Sequence, residues 1–343
     1  MKDINHKRKR EQIFHIVGRG RSGNTLLYKV LDTHPEISVF RETLFMFHLY
    51  SRYKHQKQWN EENINNFVDD MYLEDRINTW GLPKDNLKTW LHKQKNITTF
   101  SDICRRVYKF LALKGRKNEV SVIGTKNPHF ALYMKQLLKI FPESKYIYIV
   151  RDYKDNVLSY QDVKFDLKNV SALAYRWNIF NKKILDIQEK FPEIFYILKY
   201  EDLVSNPILY LKQLCEFLGI DFSKKMLDFY KSGRNQASIK RHRNIAKPIN
   251  TERIAKWKKD MSQIDQKKAD FICNKLAKKL NYKGSKKTDV NVLTYVDIFI
   301  GFIIAYIFTL SEVVIFLLPL RMRNRLINLF RSRYSRKTKK SND

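Results

Sequence analysis

Acidic residues are scarce in this chain, and cysteines scarcer. Against 66 Lys and Arg stand only 35 Asp and Glu, a formal charge of +31. Such a field attracts polyanions: nucleotides, anionic lipid headgroups, acidic glycans or nucleic acid. No nucleic-acid module is visible and the charge is spread widely, so a phosphorylated small molecule and an anionic membrane are the expected partners. The 3 cysteines, Cys104, Cys215 and Cys273, are odd in number, far apart and set among apolar residues. That excludes a disulfide framework and any zinc spacing, and it fits a reducing compartment. No constellation of metal ligands appears elsewhere, and no internal repeat. The opening residues, Met1 to Arg10, are basic and polar rather than an apolar signal peptide. The sequons at Asn96 and Asn169 are therefore expected to be accidental.

What is present begins after Ile13-Phe14-His15-Ile16-Val17, a run suited to a buried strand. Residues 18–25 read Gly-Arg-Gly-Arg-Ser-Gly-Asn-Thr. A P-loop needs Gly-x-x-x-x-Gly-Lys-Ser/Thr between strand and helix. Gly18, Gly23 and Thr25 keep that frame, but Asn24 replaces the Lys and the positive charge has moved to Arg21. Backbone N–H groups at the start of the following helix still suit a phosphate. Without the Lys that clamps a β/γ-phosphate, the loop suits an adenylate-type phosphate better than a nucleoside triphosphate with Mg²⁺. A second apolar run, Tyr146 to Val150, reads as an interior strand of a parallel sheet. Arg151 ends it, and Ser159 follows eight residues later. The carboxyl edge of such sheets is where ligands bind. An Arg fork and a Ser hydroxyl there form a second anion site.

This pair of elements resembles the two cofactor signatures of the sulfotransferases that use 3′-phosphoadenosine 5′-phosphosulfate (PAPS). In that family a Lys/Arg-Ser-Gly-Thr-Thr loop binds the 5′-phosphosulfate and a strand–Arg–x7–Ser element binds the 3′-phosphate. Arg21-Ser22-Gly23-Asn24-Thr25 and Arg151…Ser159 match these forms, with Asn24 for the usual Thr. Further matches are His34-Pro35-Glu36-Ile37 with Glu42, Lys126-Asn127-Pro128, Tyr200-Glu201-Asp202-Leu203 with Phe217-Leu218-Gly219, and Lys247-Pro248 with Arg253 and Trp257. They run in order over roughly residues 12–283 and are most similar to the bacterial-type and tyrosylprotein-like branch. The resemblance implies an α/β fold with a P-loop-type parallel sheet flanked by helices, and PAPS as co-substrate without a metal. It implies cofactor contacts from Arg21, Ser22, Gly23, Asn24, Thr25, Leu26, Arg151, Ser159, Tyr200 and Arg253. Arg21 and Lys126 would stabilise charge on the bridging oxygen, and Glu42, at a strand end, would be the general base for a hydroxyl acceptor. His129 is the rival base; His34 reads as a structural turn residue.

Along the chain, residues 1–11 form a basic arm and 12–285 the α/β domain. Within that domain 44–118 is a mostly helical insert, suited to shaping an acceptor pocket. Val120 to Gly124 reads as a strand, His129 to Phe141 as a helix, and Ala172 to Phe191 as a long helix. Residues 286–343 form a membrane-associating segment with a basic tail. Ile298 to Leu310 carries no charge, Ser311-Glu312 interrupts, and Val313 to Leu320 is apolar again. Its length just suffices to span about 30 Å of hydrocarbon. A single span would put the basic tail opposite a cytoplasmic domain, against the positive-inside bias. In-plane or hairpin anchoring on the cytoplasmic face is therefore expected, with a lipid, glycolipid or membrane-linked glycan as acceptor. Two other readings stay open: a P-loop kinase or NTPase, which Asn24 disfavours, and a non-catalytic membrane adaptor that has kept the fold.

Overall fold

Five strands pair in parallel in the order β2-β3-β1-β4-β5. They are β1 (Gln12–Val17), β2 (Ile37–Arg41), β3 (Val122–Lys126), β4 (Lys145–Val150) and β5 (Phe195–Lys199). The computed structural model of the chain describes residues 12–41, 43–74, 76–115, 120–163, 167–231, 246–283, 290–318, 322, 323 and 325. Helices α1 (Asn24–Asp32), α2 (Phe45–Tyr53), α3 (Glu61–Met71), α4 (Lys84–His92) and α5 (Phe100–Lys114) are followed by α6 (Met134–Ile140). Then come α7 (Tyr153–Gln161), α8 (Val170–Gln188), α9 (Tyr200–Ser205), α10 (Pro207–Leu218), α11 (Trp257–Asp260), α12 (Gln263–Lys279) and α13 (Val292–Leu317). The chain divides into two compact units, Met1–Arg41 with Ala112–Ala305, and Glu42–Leu111 with Tyr306–Asp343.

The first unit holds the sheet. Alternation sorts the side chains of β1 onto two faces. Phe14 and Ile16 join Leu27, Val30 and Leu31 of α1 and Leu211 and Leu214 of α10 in one apolar layer. His15 points the other way, against the rings of Phe130, Phe141 and Tyr146, and bonds Thr125 Oγ1 at 2.7 Å. With helices on both faces, β4 is buried from Tyr146 to Val150, which is why that stretch reads as a continuous apolar run rather than an alternating one.

Pairing moves β3 two residues past its expected start. Gln12 lies opposite Val122 and Arg41 opposite Lys126, so both neighbours draw Thr125 and Lys126 into the strand. The helix expected over 129–141 is a 3-10 turn from Pro128 to Tyr133, then α6. Asn127 caps that turn by accepting from His129 N. Helix α8 starts at Val170 because Asn169 Oδ1 caps Ala172 N at 2.8 Å. The Asn169 amide also donates to Asp297 at 3.2 Å, so this sequon side chain is already engaged. Cys215 and Cys273 are buried free thiols.

The second unit takes in α2 to α4 and most of α5, as the mostly helical reading of 44–118 expects. Its core is aromatic: Phe45 packs on Phe67, Trp80 and Tyr108, and Tyr53 stacks on Trp59. Cys104 is its buried free thiol. Helix α13 runs through Ser311–Glu312 without the expected interruption. The Ser311 hydroxyl bonds back to Phe308 O at 2.8 Å, so its polar group is satisfied inside the helix.

Candidate active site

Strand β1 lies between β3 and β4, so the loop leaving it is flanked by the carboxyl ends of both. Gly18 sits at φ 149°, and a Cβ there would come within 2.2 Å of Ile149 O; the loop crosses β4 too closely for any side chain. Gly23 has φ 95° and lies against the Tyr200 ring, 2.6 Å from where a Cβ would stand. Between them Arg21 adopts a left-handed φ of 64°, a conformation that costs a non-glycine residue roughly 1–2 kcal/mol. Helix α1 then begins, and its first intrahelical bond is Leu27 N to Gly23 O at 3.0 Å. The N–H groups of Asn24, Thr25 and Leu26 therefore head the helix, where the macrodipole favours an anion.

Two loop side chains with expected ligand contacts turn inward instead. Ser22 is fully buried, and its hydroxyl accepts from Asn156 Nδ2 at 3.0 Å. The same amide donates to Gly20 O at 2.9 Å. Asn24 Nδ2 donates to Arg19 O at 2.8 Å. Ser22 and Asn24 thus brace the loop through their side chains. Arg19 was not anticipated: it is 1% exposed, donates to Leu173 O in α8 and stacks over Tyr160 at 4.4 Å.

At the β4 edge the arrangement is cationic. Arg151 lies over the Tyr200 ring at 4.8 Å and donates to Arg253 O at 2.5 Å. Its Nε is buried without a hydrogen-bond partner. Arg21 reaches across from the loop, its Nε bonding Ser159 Oγ at 3.1 Å. Burial lowers the Arg21 pKa, and the nearby Arg253 and Arg151 guanidiniums lower it further. A small cleft here is lined by Arg151, Asp155, Ser159, Asp162, Arg253 and Lys256. Asp155, which the sequence offers as a helix opener and not as a site residue, accepts from Ala255 N at 2.8 Å and Trp257 N at 3.0 Å. It lies 3.7 Å from Arg151, so one carboxylate ties the 253–257 turn to the strand end. Asp155 and Asn156 sit inside the interval between Arg151 and Ser159. Their i+4 and i+5 places after the strand were the available signal.

Lys126 closes β3, 4% exposed, opposite Ile16 and Arg41. That puts it at the same sheet edge, on the other flank of β1. His129 is exposed, and Asn127 Oδ1 accepts from its backbone N at 3.0 Å. His34 has a structural place: its Nδ1 accepts from Glu36 N at 3.1 Å, so its Nε2 donates to Asp221 O at 2.8 Å. Glu42 lies outside the described residues. The structure thus gathers Arg21, Ser159, Arg151, Tyr200 and Arg253, with Lys126 along the edge.

With this geometry in place, relatives carry the identification further. The sequence profile of the sulfotransferase family matches residues 13–224, more than half of the chain. The chain belongs to the sulfotransferase family. It is 21% identical to a putative protein-tyrosine sulfotransferase of Caenorhabditis briggsae, over 76% of this chain and 86% of the relative. It is 25% identical to protein-tyrosine sulfotransferase A of Caenorhabditis elegans, over 71% of this chain but 60% of that longer relative. The sulfotransferase domain of the Synechococcus PCC 7002 olefin synthase shares the fold, with TM-score 0.54 and 22% identity over 82% of this chain and 99% of that domain.

Proposed function

We propose that this chain transfers the sulfuryl group of PAPS to a hydroxyl of an acceptor at an anionic membrane surface, on its cytoplasmic face. The observation that carries the reading is the Arg21–Ser159 bond, which joins the β1 loop to the β4 edge. One ligand with a phosphate at each end suits two anion sites so joined. The orphaned Arg151 Nε supports the fit, because a buried donor without a partner is costly until an anion satisfies it. PAPS brings an activated S–O bond whose cleavage leaves 3′,5′-ADP.

In this reading Arg151, Ser159 and Arg253 hold the 3′-phosphate and Tyr200 borders the nucleotide. The N–H groups of Ser22, Gly23, Asn24, Thr25 and Leu26 hold the 5′-phosphate, with the Arg21 guanidinium beside them. Glu42 takes the acceptor's hydroxyl proton as its oxygen bonds to sulfur. Lys126 and Arg21 stabilise the charge that moves onto the leaving phosphate oxygen. The acceptor is proposed to be a lipid, glycolipid or membrane-linked glycan. One relative supports a lipid hydroxyl: the omega-hydroxy-beta-dihydromenaquinone-9 sulfotransferase of Mycobacterium tuberculosis, 28% identical over 34% of this chain and 33% of the relative.

The test is turnover of sulfur-labelled PAPS with extracted membrane lipids, and separately with tyrosine peptides. Label appearing only in peptide would replace the lipid reading by a protein acceptor. Binding separates the kinase alternative: 3′,5′-ADP should compete with PAPS, and ATP with Mg²⁺ should not. Glu42→Gln should keep cofactor binding and lose turnover by about 10²–10⁴-fold. Normal turnover in Glu42→Gln together with a dead His129→Ala would move the base to His129.

A further inference from the structure

Helix α13 is apolar on nearly every side, yet its burial is one-sided. Ile298, Gly301, Ala305 and Thr309 are buried at helical spacing. Val292, Val296, Phe299, Ile303, Leu310 and Leu317 are exposed on the opposite side, Phe299 at 62% and Leu317 at 74%. Its only charged residues, Asp297 and Glu312, lie off that exposed stripe. The first half is fastened to the sheet unit. Asp297 accepts from Ser171 Oγ at 2.7 Å and pairs with Lys268 at 3.0 Å. Gly301 lies so close to Ser171 that a Cβ would stand 2.3 Å from its side chain. Phe302 meets Tyr175 and Tyr295 meets Phe271 edge-on.

Building on the membrane reading above, we infer that α13 lies flat in the membrane interface with this exposed stripe inserted, and that it does not cross. Two measures favour this. Residues 292–305 are held along α8 and α12, and α12 carries Lys267, Lys268, Lys275, Lys278 and Lys279. A crossing helix that kept these contacts would drag those lysines into hydrocarbon, a depth that charged side chains avoid. The remaining stretch from Tyr306 to Leu317 is only about 18 Å long at 1.5 Å per residue, against a core of about 30 Å. The occupant of the stripe is an anionic bilayer rather than a second copy. Basic residues bracket the helix, with Lys283, Lys286 and Lys287 before it and Arg321, Arg323 and Arg325 after. Two copies meeting face to face would bring these like charges together, whereas acidic headgroups complement them.

The experiment uses the full chain with single substitutions Val296→Cys, Ile303→Cys or Leu310→Cys. All three sites are exposed, while the native thiols are buried, so an environment-sensitive maleimide marks the new site alone. Vesicles of phosphatidylcholine with phosphatidylglycerol carry quenchers at known acyl depths, and circular dichroism with 3′,5′-ADP binding verifies the fold of each variant. Equal, shallow depths of roughly 5–10 Å at all three sites are expected, and Ile303→Asp should weaken partitioning about tenfold. Depths that change steadily from 296 to 310 through the bilayer centre would overturn the flat arrangement while leaving membrane binding intact. Cross-linking between Ile303→Cys copies without lipid quenching would assign the stripe to a dimer. A parent chain that never sediments with these vesicles would instead remove the membrane reading itself.

Discussion

The loop after β1 and the flank formed by the edge after β4 hold their shape by different means. The loop after β1 is built from backbone: glycines at positive φ, helix-end N–H groups, and side chains that turn inward to brace it. The edge after β4 is built from side chains: Arg151 held by Asp155, which also ties in the 253–257 turn, and Ser159 bonded by Arg21. A backbone cradle fails through shape, and a side-chain cradle fails through charge. The first should tolerate almost nothing at its close contacts, and the second should be tunable one interaction at a time.

The largest effect tests the backbone side. Gly18→Ala must displace the Ile149 carbonyl from 2.2 Å and should cost about 3 kcal/mol or more, abolishing 3′,5′-ADP binding. A variant that melts with the parent would show that the loop does not depend on its contact with β4. On the other flank, Arg151→Ala should fold normally and bind 3′,5′-ADP tenfold or more weakly, through loss of charge-assisted contacts of ~1.5–3 kcal/mol. Adenosine 5′-phosphate, which lacks the 3′-phosphate, should lose little. Equal losses for both nucleotides in calorimetry would erase the distinction between the flanks.

Asp152 offers a smaller, titratable contrast. Burial raises its pKa to about 6 from 3.8, with Asp155 and Glu201 adding to the rise while the Asp155 N–H bond opposes it. A carboxyl whose folded pKa is raised adds stability below its unfolded pKa and loses it as pH climbs through the folded value. Asp152→Asn should thus be more stable than the parent at pH 7, by roughly 1–2 kcal/mol. The two should converge near pH 4 in denaturant melts; a constant difference across that range would assign the effect instead to the N-cap that Asp152 makes on α7, accepting from Lys154 N and Asp155 N. Smallest of all, Asn24→Ala loses one loop-bracing bond and should cost about 1 kcal/mol of stability. Cofactor affinity should change little, because only the N–H of residue 24 is proposed to meet the phosphate.

Much of this was legible in the sequence because the signals are local. Strand, glycine loop and helix follow one another within residues 12–32, and Arg151 and Ser159 lie one strand-end and two helical turns apart. The direction of a loop side chain is harder to read: Ser and Asn serve equally as ligand donors or as braces, and for Ser22 it is Asn156, far along the chain, that decides which. The register of β3 depends on two partners that sequence does not reveal, so its bounds slipped by two residues. Ser311–Glu312 looked like a break because both residues are polar, but a hydroxyl bonded back within the helix costs the apolar stretch little.

The central place of β1 also bears on how the chain reaches this fold. Its partner β3 lies about 110 positions along the chain, as the His15–Thr125 bond records, and β4 lies farther still. Non-local parallel pairing of this kind slows folding. During synthesis the apolar Ile13-Phe14-His15-Ile16-Val17 segment leaves the ribosome well before either neighbour exists. At translation speeds of roughly 5–20 residues per second, it waits several seconds with both edges unpaired. The strand that organises the finished site is therefore the one most exposed to mispairing and to chaperone capture while the chain is being made.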